Sequence, residues 1–97
     1  LLIFLYFLIH VNYTLLVKVL NKVKEYRKGK KLTQVELAEL VGVSRQSIYA
    51  IETGKSEPSL ELAFKLCNVL DVELDKVFKL VEAGDVNRDE IAPFSLF

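Results

Sequence analysis

Residues 33–58 read TQVELAELVGVSRQSIYAIETGKSEP, and the fold is decided here. Thr33 with Glu36 three residues on forms a capping box, in which hydroxyl and carboxylate each accept a backbone N–H from the other's position. Leu37, Ala38, Leu40 and Val41 follow at helical spacing as the expected buried stripe of a short helix. Gly42 closes it, because a residue without Cβ enters the left-handed backbone region with little strain, and Val43 fills the turn. Ser44 then stands as the N-cap of a second short helix, with Ile48 and Ile51 facing inward and Gly54 as its stop. Two helices this short, joined within about four residues, cannot form a core alone and must pack at a steep angle on others.

Those others lie on either side. In Lys18–Lys28 the apolar residues Val19, Leu20, Val23 and Tyr26 follow the i, i+3, i+4, i+7 spacing of a helix face, with Arg27 and Lys28 in the last turn and Gly29 as the end. Downstream, Ser59 caps a helix with apolar positions Leu60, Ala63, Phe64, Cys67 and Leu70. Asp71-Val72 breaks it, and Leu74, Val77, Phe78 and Val81 predict a fifth helix ending near Gly84. No alternating strand pattern and no internal repeat is evident. The expected architecture is all-α: a compact five-helix domain over residues 18–82, a hydrophobic leader over 1–17 and a mostly irregular tail over 83–97.

Composition narrows the function classes. A chain of 97 residues holds one domain, and its 13 basic and 13 acidic residues cancel. The zero hides a gradient: Lys18–Lys31 carries seven basic residues against Glu25, a local charge of +6, whereas Ser59–Phe97 sums to −4. A basic block beside a compact domain is what attraction to phosphates requires, although a solvated helix face or juxtamembrane charge has the same composition. One cysteine, Cys67, excludes a disulfide framework and reads as a small core residue. One histidine, His10, leaves few ways to build a metal centre. No Gly-rich phosphate loop and no nucleophile–His–acid set occurs, so neither catalysis nor a cofactor is expected.

The leader LLIFLYFLIHVNYTLLV has 14 apolar residues in 17, but its unbroken apolar run is only nine residues long. A membrane-spanning helix needs about 20. It lacks the basic start and cleavage site of a secretory signal, and the chain contains no methionine. Three readings stay open: a short membrane anchor, a segment that packs on the domain or a partner, and an upstream stretch included by a misplaced start. As an anchor, it would leave the basic block and the domain on the cytoplasmic side.

The outer face of the helix after Ser44 carries Arg45, Gln46, Tyr49 and Ala50, with Thr53 nearby. Arginine and glutamine bond guanine and adenine edges bidentately, and here they sit at the helix end that enters a major groove in this docking geometry. The competing reading of that face is a protein-interaction helix. The run Thr33-Gln34…Leu37-Ala38…Val41-Gly42-Val43-Ser44…Ile48…Ile51-Glu52…Gly54…Pro58 resembles the lambda-repressor-like, or Xre-type, helix-turn-helix family over about residues 19–80.

That resemblance implies a regulator of transcription that binds double-stranded DNA, with repression favoured by family habit. It implies base contacts from Arg45, Gln46, Tyr49 and Ala50. Phosphate contacts would come from Gln34, Thr33, Ser44, Ser47, Thr53, Lys55 and Ser56. It also implies a structural ion pair between Arg27 and Glu52. Many relatives carry a longer polar residue where Ala50 stands. A single reading helix covers few base pairs, so a homodimer on a two-fold site is expected, with half-sites about 34 Å apart or a multiple of that. Val77, Phe78, Leu80 and Val81, with Ile91, Phe94 and Phe97, are candidates for its interface. The expected location is the cytoplasm, on the nucleoid. Two other readings are an antitoxin-like module that holds a protein partner and binds its own promoter, and a membrane-tethered scaffold without DNA contact.

Overall fold

The computed structural model describes residues 1–8 and 17–82. The element order is α1 (residues 2–8), β1 (Val17–Asn21), α2 (Val23–Gly29), α3 (Gln34–Val41), α4 (Arg45–Glu52), α5 (Leu60–Leu70), α6 (Leu74–Val77) and β2 (Phe78–Glu82). Five helices over 23–77 build the domain, as the helical spacing predicts. His10, Ile91, Phe94 and Phe97 lie outside the described residues. Residues 1–8 are all exposed, and among the described residues no helix is long and apolar enough to cross a membrane.

The helix starts follow their caps. The Thr33 hydroxyl accepts from the Glu36 N–H at 3.0 Å, and the Glu36 carboxylate accepts from the Thr33 N–H at 3.0 Å. Ser44 accepts from the Ser47 N–H and Ser59 from the Leu62 N–H, each at 3.1 Å. Gly42 adopts φ +77° at the end of α3, and the N–H groups of Gly42 and Val43 both return to the Ala38 carbonyl, at 2.8 and 3.0 Å. This closes the end of α3 on a single carbonyl.

Two stretches expected to be helical are strands. Residues 17–21 pair antiparallel with 78–82, setting Val19 opposite Leu80 and Asn21 opposite Phe78. Helix α2 therefore begins at Val23, not Lys18, and the last helix is a single turn ending at Val77. Asn21 forces the first change. Its buried carboxamide accepts from the Val23 N–H at 3.1 Å and donates to the Ile51 carbonyl at 2.8 Å, so it starts α2 and ties β1 to α4. Asparagine competes with helical backbone in this way by bonding nearby peptide groups. The second change follows from the first: β1 supplies a partner for the β-prone Phe78–Glu82. The Lys22 N–H extends the closure by donating to the Val77 carbonyl at 2.8 Å.

The core gathers Val23, Leu37, Ala38, Val41, Ile48, Ile51, Leu66, Cys67, Leu70 and Val77. Three expectations are corrected in detail. Leu40 leaves the stripe of α3 and is exposed, as are Leu60 and Phe64 of α5, where Leu66 instead fills the centre. Each is displaced because a helix resting on two neighbours turns its buried arc to the contact and leaves flanking apolar positions outside. Val77 is fully buried, so it belongs to the core and not to a dimer surface, whereas Leu80 stays exposed and Phe78 and Val81 are half-buried. Burial pushes the Cys67 thiol up, away from the reactive thiolate.

Two measurements check this account. Gly42→Ala should lower unfolding stability by about 1 kcal/mol through backbone strain alone, since a Cβ there meets nothing within 4 Å; urea titration reads it. The Thr33 N–H bond lowers the Glu36 pKa, so the capping box stabilises the fold above the unfolded glutamate's pKa and is lost as pH falls through the lower folded value. Glu36→Gln should flatten that acid limb in a pH series of thermal melts.

Candidate nucleic-acid interface

Helix α4 divides into two faces. Ile48, Ile51 and Glu52 are buried, while Arg45, Gln46 and Tyr49 are exposed and Ser47, Ala50 and Thr53 are half-buried along the outer arc. The mixed sequence RQSIYAIE thus produces one anchored side and one polar, solvent-facing side.

The anchor is electrostatic as well as apolar. Arg27 Nε donates to Glu52 Oε2 at 2.6 Å, and its Nη2 donates to Glu52 Oε1 at 3.1 Å. Its Nη1 donates to the Leu32 carbonyl at 2.8 Å. Both side chains are buried, and the planar guanidinium satisfies the carboxylate with two parallel bonds. The structure thereby brings together the two residues that the resemblance pairs, and Arg27 is withdrawn from the basic block as a phosphate partner. The exposed cations left there are Lys18, Lys24, Lys28, Lys30 and Lys31.

Gln34, the first residue of α3, sits between this pair and the outer face. Its Nε2 donates to Glu52 Oε1 at 3.0 Å, and its Oε1 accepts from Arg45 Nη1 at 3.1 Å. Among the described residues, the second hydrogen on Nε2 and the other donors of the Arg45 fork take no further partner. Sequence reasoning singled out all four residues but missed the links through Gln34; its position at the start of the helix after the capping box was the available signal.

The remaining candidates occupy the rim. The Thr33 and Ser44 hydroxyls accept helix-capping bonds, and the Ser44 and Ser47 Oγ atoms lie 3.0 Å apart. The Thr53 hydroxyl donates to the Tyr49 carbonyl at 2.9 Å, so it must release this bond to reach a phosphate. Lys55 places its Nζ 5.4 Å from the centre of the Tyr49 ring, joining the loop after α4 to the outer face. The Ser56 N–H donates to the Ala50 carbonyl at 3.1 Å and holds that loop against the helix end. Asn21, absent from the sequence-based candidates, supports the site from below through the Ile51 carbonyl.

Removing one member of a buried ion pair leaves the other charge uncompensated, which costs about 3–5 kcal/mol. Arg27→Ala should therefore lose a third or more of the stability of a domain this size. Chemical denaturation checks the loss, and a parallel Lys28→Ala variant, altering an exposed cation of the same helix, should change it little.

A helix-turn-helix family model matches residues 23–77. A helix-turn-helix-type transcriptional regulator of Methanocaldococcus jannaschii is 52% identical over 58 residues, spanning 60% of this chain and 88% of that protein. One from Bacillus subtilis is 47% identical over 62 residues, spanning 64% of this chain and 94% of that protein. Among solved structures, the restriction-modification controller protein C.AhdI from Aeromonas hydrophila superposes with a TM-score of 0.54 at 34% identity, covering 57% of this chain and 83% of that one. The Clp gene regulator ClgR from Corynebacterium glutamicum gives 0.53 at 32% identity, covering 55% of this chain and 56% of that one. With the family model matching over more than half of its length, the chain belongs to the lambda-repressor-like, or Xre-type, helix-turn-helix family of DNA-binding transcriptional regulators.

Proposed function

We propose that this protein is a sequence-specific repressor that lays α4, from Ser44 onward, in the DNA major groove. The supporting observation is the exposed row Arg45, Gln46 and Tyr49 on a helix whose opposite side is locked by Ile48, Ile51 and the Arg27–Glu52 pair. Arg45 and Gln46 read base edges, Tyr49 and Ala50 extend the contact, and Ala50 is small enough to lie against a thymine methyl. Gln34, Thr33, Ser44, Ser47, Thr53, Lys55 and Ser56 hold the phosphates on either side and fix the register of the helix. The exposed lysines near α2 supply the long-range attraction.

Because one helix covers few base pairs, the protein acts as a homodimer on a two-fold operator, using exposed apolar positions outside the core such as Leu80. A DNA partner places it on the nucleoid, in the cytoplasm. We take the DNA-binding domain as residues 18–82, extended by Val17 at the start of β1.

Selection of bound duplexes from a random DNA pool tests binding, half-site spacing and symmetry together. A two-fold motif with half-sites about 34 Å apart, or a multiple of that, is the expected result. On the selected duplex, Arg45→Ala should remove about 1–3 kcal/mol of discrimination at one base-pair position. Lys55→Ala should instead weaken all duplexes alike and reduce the salt slope by about one. Unchanged preference in Arg45→Ala and in Gln46→Ala would place the reading surface elsewhere.

A further inference from the structure

We propose that Glu52 is a specificity-determining positioning residue: through the carboxamide of Gln34, this buried carboxylate sets the direction in which Arg45 presents its guanidinium to a base. The inference rests on the DNA reading above and deepens it.

The links are continuous. Glu52 Oε1 accepts from Arg27 at 3.1 Å and from Gln34 Nε2 at 3.0 Å, and Gln34 Oε1 accepts from Arg45 at 3.1 Å. A glutamine carboxamide has two ends, and which end faces which neighbour follows from the groups around it. Here both neighbours demand the same orientation. The Glu52 carboxylate has only lone pairs to offer, so it selects the NH2 end. Arg45 has only donors, so it selects the carbonyl end. Turning the amide over would set oxygen against carboxylate and NH2 against guanidinium, losing both bonds at once.

The chain also has a firm end and a loose end. Glu52 cannot follow a wandering glutamine, because Arg27 clamps it at 2.6 and 3.1 Å and both residues are buried. Gln34 is half-buried, and Arg45 is exposed. Order therefore passes outward, from a fixed buried charge to an exposed fork that has three or more rotatable bonds to lose on meeting DNA. Hydrogen bonds to an ion are shorter and stronger than neutral ones, and successive bonds polarise each other. Arg45 is thereby held before DNA arrives, and a pre-ordered fork rejects a misplaced base edge that a free one would follow.

A double-mutant cycle read on base preference tests this. The selected duplex and its single base-pair variants are titrated with the parent, Arg45→Ala, Gln34→Ala, Glu52→Gln and the Gln34→Ala/Glu52→Gln double variant. Arg45→Ala marks the base pair concerned. Glu52→Gln is expected to cut discrimination at that base pair about tenfold, within the usual worth of a bidentate contact, and to have no further effect there once Gln34 is alanine. A uniform loss of affinity that leaves the preference at that base pair intact overturns the proposal. So does a Glu52→Gln effect that persists undiminished without Gln34.

If Arg45→Ala relaxes no base pair, the DNA reading fails and the relay with it; if it relaxes one and Glu52→Gln does not, the relay alone fails. Should Glu52→Gln not fold, nuclear magnetic resonance on the unmodified, DNA-free protein decides. The Gln34 side-chain amide should be ordered and slowly exchanging, with cross-peaks to Arg45, beside a mobile amide at the exposed Gln46. Equal mobility of the two amides overturns the proposal.

Discussion

A salt bridge between Arg27 and Glu52 lies under everything this domain presents to solvent, because three helices converge on its carboxylate. Arg27 brings α2, Glu52 belongs to α4, and Gln34 adds the first residue of α3. A third bond from the same guanidinium, to the Leu32 carbonyl, fixes the loop that leads into α3. Such a pair gains little net stability over an apolar replacement of equal volume, since both ions surrender their hydration. Its value is directional. Apolar contact among Val23, Leu37, Ile48 and Ile51 tolerates small rotations of the helices, whereas a two-pronged ion pair with a third partner on one oxygen does not.

Directionality matters because the elements are short. Helices of seven or eight residues do not persist alone in water, so α2, α3 and α4 exist by virtue of their caps and their common core. The Thr33 and Ser44 hydroxyls satisfy the first turns, and the turn at Gly42 returns two N–H groups to one carbonyl. The ribbon of β1 and β2 then closes the domain from the side opposite in sequence, with Asn21 reaching from the strand to the Ile51 carbonyl beside Glu52. Among the described residues, no buried side-chain polar atom is left without a partner. Burying ions and amides in so small a core is tolerable only under that condition.

From this construction comes a division of labour along α4. Its inner residues Ile48, Ile51 and Glu52 are buried, and among its outer residues Arg45 is linked to that anchor through Gln34. Arg45 is restrained through Gln34, while Gln46, one residue on, carries no such restraint in the described contacts. Family membership extends over the part of the chain where this machinery lies, residues 23–77, and stops short of both ends.

The helix pair was legible from residues alone because its signals are local. Capping box, apolar spacing, left-handed glycine and serine cap each act within four residues, and so does the division of α4 into inner and outer faces. The candidate site was legible to the same extent: Arg45, Gln46 and Tyr49 lie outward because Ile48 and Ile51 lie inward. Tertiary structure decided what depends on partners distant along the chain. Val19 and Leu20 suit a helix face as well as a strand, and only Phe78–Glu82, about sixty residues away, makes them β1. Leu40, Leu60 and Phe64 have core chemistry, yet the packing of α3 and α5 leaves them outside. The link from Glu52 through Gln34 to Arg45 joins residues 18 and 11 positions apart, and its geometry exists only when α3 and α4 are packed. Spacing along a chain encodes which face a residue occupies, but not which remote group it meets there.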